Sequence, residues 1–139
     1  MTFKAHELLK RYAAGERDFR GAYLRGVNLE KANLREAYLY GAILSEAKLY
    51  EADLEGADLE GASLWVAKLM EANLRRTNLM GANLMGSNLR RANLSGAKLM
   101  GAILYGAVLE EAILEEAHYD KNTRFPYAFD PVSAGMQIV

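Results

Sequence analysis

The stretch Ala52-Asp53-Leu54-Glu55-Gly56-Ala57-Asp58-Leu59-Glu60-Gly61 repeats itself after five residues, and the same frame runs outward from it in both directions without a slip. Leu recurs at every fifth position from 24 to 114, nineteen times out of nineteen, and Phe19 and Tyr119 extend the register at either side. Two residues before each of these stands a small residue, Ala in seventeen of the twenty positions from 22 to 117, with Val27, Thr77 and Ser87 as the exceptions. A helix advances about 100° per residue, so a five-residue step turns each Leu by about 140° and leaves no apolar stripe, which excludes a long helix. In an extended segment, residues two apart point the same way, so the Ala and Leu of one unit share an interior while the residue between them faces out. Each unit is therefore one very short strand. The two remaining residues must turn the chain, and the second of them is Gly in ten of the twenty-one units, as a corner with positive φ or close packing requires.

Stacking such coils sets parallel strands about 4.8 Å apart, with Leu on Leu inside and backbone hydrogen bonds running from coil to coil. That architecture is a β-solenoid. Runs such as Ala52-Asp53-Leu54-Glu55-Gly56 and Ala82-Asn83-Leu84-Met85-Gly86 resemble the A(D/N)LxG unit of the pentapeptide-repeat family, and the resemblance covers residues 17 to 121. It implies an all-β fold, a right-handed quadrilateral β-helix with four units per coil, hence 20 residues per coil and about five coils. Positions 21, 41, 61, 81 and 101 are all Gly, a recurrence that agrees with this period. The family is defined by its architecture, so the resemblance speaks for the fold and says little about activity.

The chain has 139 residues, of which 51% are hydrophobic and 25% charged, with 17 Lys and Arg against 18 Asp and Glu. This composition suits a single folded domain and not a disordered chain, and no run of 18 apolar residues is present to span a bilayer. No Cys occurs, which removes disulfides, thiolate nucleophiles and Cys-based metal sites. Residues Met1 to Ala14 include Lys4, Glu7, Lys10 and Arg11 and so lack the apolar core of a secretory signal, making a cytoplasmic location the expectation.

Bare solenoid ends expose unpaired backbone, and both ends carry candidates to cover it. Residues 1–16 read as a capping helix, with Ala5, Leu8, Leu9 and Tyr12 on one face, a Glu7–Arg11 pair on the other, and Gly15 where a C-cap belongs. Residues 17–121 form the repeat. Residues 122–139, with Phe125, Tyr127, Phe129 and the terminal Met136, Ile138 and Val139, read as a cap on the last coil. A tail folded over the solenoid's flank and a free partner-binding tail are the alternatives. The apolar outward residues Ile103, Val108 and Ile113 predict an apolar element lying against that last coil.

With 20 residues per coil the outward residues sort into four faces. The face of Leu29, Leu49, Leu69, Leu89 and Leu109 bears Asn28, Glu30, Lys48, Tyr50, Lys68, Met70, Asn88, Arg90 and Glu110 and reads as mostly solvated. On the next face Arg35, Glu55 and Arg75 form one column of alternating sign, expected to pair from coil to coil. The other two faces differ: Tyr23, Ile43, Trp65, Met85, Ile103 and Tyr105 lie on one, Tyr38, Tyr40, Met80 and Met100 on its neighbour, and the two meet at the all-glycine corner. Exposed apolar groups in such numbers mark an interface, so Tyr38, Tyr40, Trp65, Met80, Met85, Met100 and Tyr105 are the candidate partner-binding residues. The expected partner is another protein or a second copy of the chain.

Enzymatic chemistry finds no footing. His6 and His118 stand at opposite ends, no Ser has a His and carboxylate to activate it, and no glycine-rich run ends in the Gly-Lys-Ser/Thr of a phosphate loop. No metal site, cofactor or small-molecule substrate is expected, and the absence of a basic stripe argues against direct nucleic-acid binding. The runner-up function comes from the family: some pentapeptide-repeat proteins mimic a DNA duplex and bind DNA gyrase. Such mimicry needs a dense acidic surface, whereas Asp18 to Asp120 holds 15 Asp and Glu against 11 Lys and Arg, a net of −4. The favoured expectation is a non-enzymatic module that displays a rigid interaction surface.

Overall fold

Every unit closes a four-residue turn. The Ala amide donates to the Leu carbonyl three residues back, as from Ala52 to Leu49 (3.1 Å) and from Ala62 to Leu59 (3.0 Å) in the computed structural model, which describes all 139 residues. The residue before that Ala has positive φ at all twenty corners from 21 to 116, ten of them Gly and ten not. A turn closed from first to fourth residue with positive φ at the third has type II geometry, which explains why Gly recurs there. The ten other corners hold this conformation against the steric preference of an L residue, and nine of them are Lys, Arg or Glu.

Between corners the chain is extended for a single paired residue. Every bridge from Asp18↔Tyr38 to Lys98↔His118 joins residues 20 apart in parallel, and successive bridges are five residues apart, so four units complete one coil. The Leu amide donates to a carbonyl of the next coil, as from Leu54 to Asn73 (2.8 Å) and from Leu59 to Asn78 (2.7 Å). Leu and Ala from all four sides merge into one buried core of 38 residues. Where Thr77 and Ser87 replace Ala inside, each hydroxyl donates to the carbonyl three residues back, Leu74 (2.8 Å) and Leu84 (2.7 Å), so neither polar atom is left without a partner.

The Asp or Asn before each Leu has a structural task of its own. Its Oδ1 accepts the amide two residues on, from Asp53 to Glu55, Asp58 to Glu60, Asn73 to Arg75 and Asn93 to Ser95, at 3.0–3.1 Å. The short acidic or amide side chain thus satisfies a donor that the turn leaves unused.

At the N-terminus, α1 (Ala5–Ala13) is shorter than the apolar spacing suggested and buries Leu8. It ends in a Schellman motif: Gly15, at φ 102°, donates to Tyr12 O (3.0 Å), and Glu16 donates to Arg11 O (3.0 Å). Glu7 in its first turn and Lys10 and Arg11 in its last complement the helix dipole. Phe3 meets the ring of Phe19 edge-on at 5.9 Å, and Thr2 pairs with Tyr23, so the chain start also joins the ladder.

Beyond Asp120 the register persists further than its loss of pattern implied. One extra residue is absorbed because the Asp120 carboxylate stands in for a backbone carbonyl, accepting the amides of Gly101 (3.0 Å) and Asn122 (2.9 Å). Arg124 then pairs with Ile103, at a spacing of 21. The chain crosses the end of the core with Phe125 stacked on Phe129 (5.0 Å) and edge-on to Tyr119 (5.5 Å), buries Met136, and returns as β2 (Gln137–Ile138) parallel to β1 (His118–Tyr119). Val108 and Ile113 remain exposed, contrary to the expectation of an apolar element lying against them. The reason is geometric: the segment packs along the rod axis on the interior, whereas those side chains point sideways. The amides of Leu109, Glu111 and Leu114 consequently face the end of the rod without a backbone acceptor, as do those of Asn28 and Asn33 at the other end. No helix is long and apolar enough to cross a membrane.

Val66 is the one β-branched corner, at φ 54°. Val66→Gly should relieve about 1–2 kcal/mol of left-handed strain, partly offset by the greater freedom of Gly in the unfolded chain, for a net gain of about 0.5–1 kcal/mol. A rise of about 2–4 °C in the Tm of thermal unfolding is expected; an unchanged or lower Tm contradicts the strain assignment.

Candidate protein-interaction surface

The faces are named here by one leucine each. The Leu44 face carries two outward columns: Tyr23, Ile43, Ser63, Asn83 and Ile103 before the leucines, and Arg25, Ser45, Trp65, Met85 and Tyr105 after them. Trp65, Met85 and Tyr105 therefore stack on three successive coils, held at the ladder spacing of about 4.8 Å, and are 42%, 37% and 50% exposed. Ser45 and Ser63 share a hydrogen bond of 2.7 Å beside them. From coil two to coil five this face has no charged outward residue. Only Asn83 keeps the Asx bond, to the Met85 amide (3.0 Å), so Tyr23, Ile43 and Ile103 stand where the fold itself would favour Asn or Asp.

The neighbouring Leu39 face is different in kind. Tyr38 and Tyr40 are about half exposed, but Asp58 and Glu60 on the next coil separate them from Met80 and Met100, which are only partly exposed. The structure thus gathers three of the seven predicted residues into one column and divides the other four by acidic groups. The tail does not cover either face, since Trp65, Tyr105, Tyr38 and Tyr40 all remain open.

Two residues outside the predicted set belong to the apolar flank. Tyr23 heads the Leu44 face, and Val66 follows Trp65 at the next corner with its side chain exposed. The signal for Val66 was available: it is a β-branched residue at a corner position, where nine other non-glycine residues are all long and charged.

The polar corners contrast with this flank. The corner between the Leu49 and Leu54 faces holds no glycine at all, and its residues pair from coil to coil: Lys31–Glu51 (3.7 Å), Glu71–Arg91 (3.8 Å) and Arg91–Glu111 (2.9 Å). On the Leu54 face, Glu55 is nearly buried and is bound by Arg76, by Asn73 (3.1 Å) and by Arg35 (2.9 Å). The expected alternation of Arg35, Glu55 and Arg75 holds for its first pair only. The second partner is Arg76, because the corner residue swings back over the face that Glu55 occupies. These bonds, chiefly from Arg76 and then Asn73, hold the Glu55 carboxyl at about 2, with burial opposing them and Arg35 adding to them. His6 lies in α1 and His118 in β1, at opposite ends of the ladder.

Comparison with known proteins comes to the same architecture. The pentapeptide repeats family matches residues 18–56, 47–86, 67–104 and 77–115. The chain is similar to a crystal structure of a pentapeptide repeat protein from Nostoc Pcc 7120, at 35% identity, TM-score 0.68, covering 100% of this chain and 98% of that one. It is also similar to HetL, a pentapeptide repeat protein involved in heterocyst differentiation regulation in Nostoc sp. strain PCC 7120, at 34% identity, TM-score 0.52, covering 85% of this chain and 67% of that one. QnrB1, a plasmid-mediated fluoroquinolone resistance protein, shares the fold at 17% identity and TM-score 0.51, covering 88% of this chain and 67% of that one. No curated protein matches.

The folded Glu55 lies at about 2 against an ordinary 4.5, so its stabilisation is present above pH 4.5 and is lost as pH falls from 4.5 towards 2. Glu55→Gln should melt lower than the wild type at pH 7, and the gap should close as pH falls through that window. A gap that stays constant from pH 7 to pH 2 contradicts the role of the ionised carboxylate.

Proposed function

We infer, from the premise that this chain belongs to the pentapeptide-repeat family, that it is a non-enzymatic interaction module whose rigid β-helix displays a protein-binding surface. The observation that carries the reading is the column of Trp65, Met85 and Tyr105, large apolar side chains left exposed on a face with no charged outward residue from Ile43 to Tyr105. On a small protein whose composition is one quarter charged, such a patch is the feature that favours contact with another protein. The mechanism is display: the interior leucines and the coil-to-coil ladder keep the column from rearranging, so little conformational entropy is lost on binding. Residues 1–16 and 122–139 act as caps that shield the core and restrict end-to-end polymerisation. Tyr38, Tyr40, Met80 and Met100 form a secondary margin beyond the glycine corner. The regulatory involvement of HetL accords with a binding role.

The DNA-mimic reading has the shared fold in its favour. Against it, Glu46, Glu51, Asp53, Glu55, Glu71 and Glu111 are each paired with Arg or Lys, which removes most of the central acidic surface from any resemblance to a phosphate backbone.

Immobilised wild-type protein and Trp65→Glu, compared for the proteins they retain, test the assignment. The variant should melt within about 2 °C of the wild type, as an exposed substitution does, and should lose the specific retention. Equal retention by both proteins overturns the placement of the surface.

A further inference from the structure

We propose that the Leu44 face is a self-complementary surface on which two copies of this chain pair about a two-fold axis, flank to flank and antiparallel. The proposal rests on the interaction-module reading and names its partner. Its first ground is charge. The eight outward residues of this face from Ile43 to Tyr105 include no Lys, Arg, Asp or Glu, while each of the other three faces carries charge on several coils. An isologous contact sets a patch against its own copy, so any unpaired charge would meet a like neighbour or lose its water. This is the one face of the rod that meets itself without either penalty.

The second ground is shape. On one side the face is bounded by Gly21, Gly41, Gly61, Gly81 and Gly101, none of which has a side chain, and on the other by Gly26, Glu46, Val66, Gly86 and Gly106. With bare backbone along the whole of one margin, and beside Met85 and Tyr105 on the other, a flat partner can approach the column from the glycine edge. The corner diagonally opposite, with its Lys–Glu and Arg–Glu ladder, offers a rod no such approach.

The third ground is area. An aromatic side chain covers 150–250 Å² when buried whole, so the half-exposed Tyr23, Trp65 and Tyr105 present about 300 Å². Met85, Val66 and the glycine-lined backbone bring the flank to about 500 Å² per copy, hence about 1,000 Å² in a pair, at the lower bound for a specific interface and in the range of weak, reversible ones.

Direction follows from the two cations that close the face. Arg25, bound to Glu46 (2.7 Å), stands at its N-terminal end and Arg124, paired with Ile103 in the ladder, at its C-terminal end. A parallel pair would bring each of them against its own copy. The antiparallel pair separates the copies of Arg25 by about 20 Å, four coils at 4.8 Å, and sets each Arg25 opposite the Tyr105 end of the other chain, where a guanidinium over an aromatic ring is favourable.

Molar mass by light scattering over a concentration series reads the proposal directly. The wild type should be a dimer that dissociates on dilution, and Trp65→Glu should raise the dissociation constant at least tenfold, as loss of a central aromatic does. Met85→Lys should do the same, and it stands in if Trp65→Glu fails to fold. Met70→Glu, on the Leu49 face, should leave the dimer intact. Because the chain has no cysteine, single substitutions report direction: Ser63→Cys, near the axis, should form a disulfide-linked dimer, and Arg25→Cys should not. A monomeric wild type, a dimer indifferent to both flank variants, or disulfide formation through Arg25→Cys overturns the proposal. A monomeric wild type whose protein retention still depends on Trp65 would do so while leaving the interaction-module reading standing, with a heterologous partner on this face.

Discussion

The structure depends on one backbone constraint: a left-handed residue at every fifth position. Twenty successive corners hold φ between 53° and 69°, and it is this conformation that bends the chain back after each two-residue inward pair. Once the corner is fixed, Ala and Leu have only the interior to occupy, and the Leu amide can only meet the carbonyl of the next coil. Half the corners meet the requirement with Gly. The other half are held there by the ladder itself, since a coil locked by hydrogen bonds on both sides has no alternative geometry to relax into.

How the two kinds of corner are distributed divides the surface into territories. Corners with long charged side chains stack into ion ladders, worth tenths of a kcal/mol per exposed pair, and they fill the edge between the Leu49 and Leu54 faces. Glycine corners leave bare backbone, and five of the ten make up the whole of the diagonally opposite edge. The apolar column lies beside the bare edge, and Val66 keeps a strained β-branched side chain next to Trp65. The ion ladders and the exposed apolar column therefore lie on opposite sides of the same rod. The same residue positions carry both, because an outward site is free of the core's demands and differs only in what it presents.

Most of the fold was legible in the sequence because the repeat leaves so little choice: the period, the inward pair and the corner follow from the positions of Leu, Ala and Gly, while the 20-residue coil came from the family resemblance, with which the recurring Gly agrees. What escaped is where the period breaks. At Asp120 a side chain replaces a backbone carbonyl and lets one extra residue enter without ending the ladder, a substitution that a five-residue frame does not register. Arg76 reaches Glu55 in place of Arg75 because corner side chains lean over the neighbouring face, which a column drawn from spacing alone does not contain. On the surface, counting apolar residues grouped Tyr38, Tyr40, Met80 and Met100 with Trp65. The structure separates them, since Asp58 and Glu60 lie between, and it adds the exposed Tyr23 and Val66 to the apolar flank of Trp65.

Amide hydrogen exchange, resolved residue by residue on the native protein, tests the account at its root. The leucine amides of the middle coils, such as Leu39, Leu54, Leu59 and Leu74, each donate to the next coil at 2.7–2.8 Å and should exchange together, at the rate of global unfolding. The amides of Asn28 and Asn33 at one end, and of Leu109, Glu111 and Leu114 at the other, have no backbone acceptor and should exchange orders of magnitude faster. Protection that follows helix α1 and the terminal strands while the leucine amides exchange freely would contradict the ladder, and with it the rigid surface on which the functional reading stands.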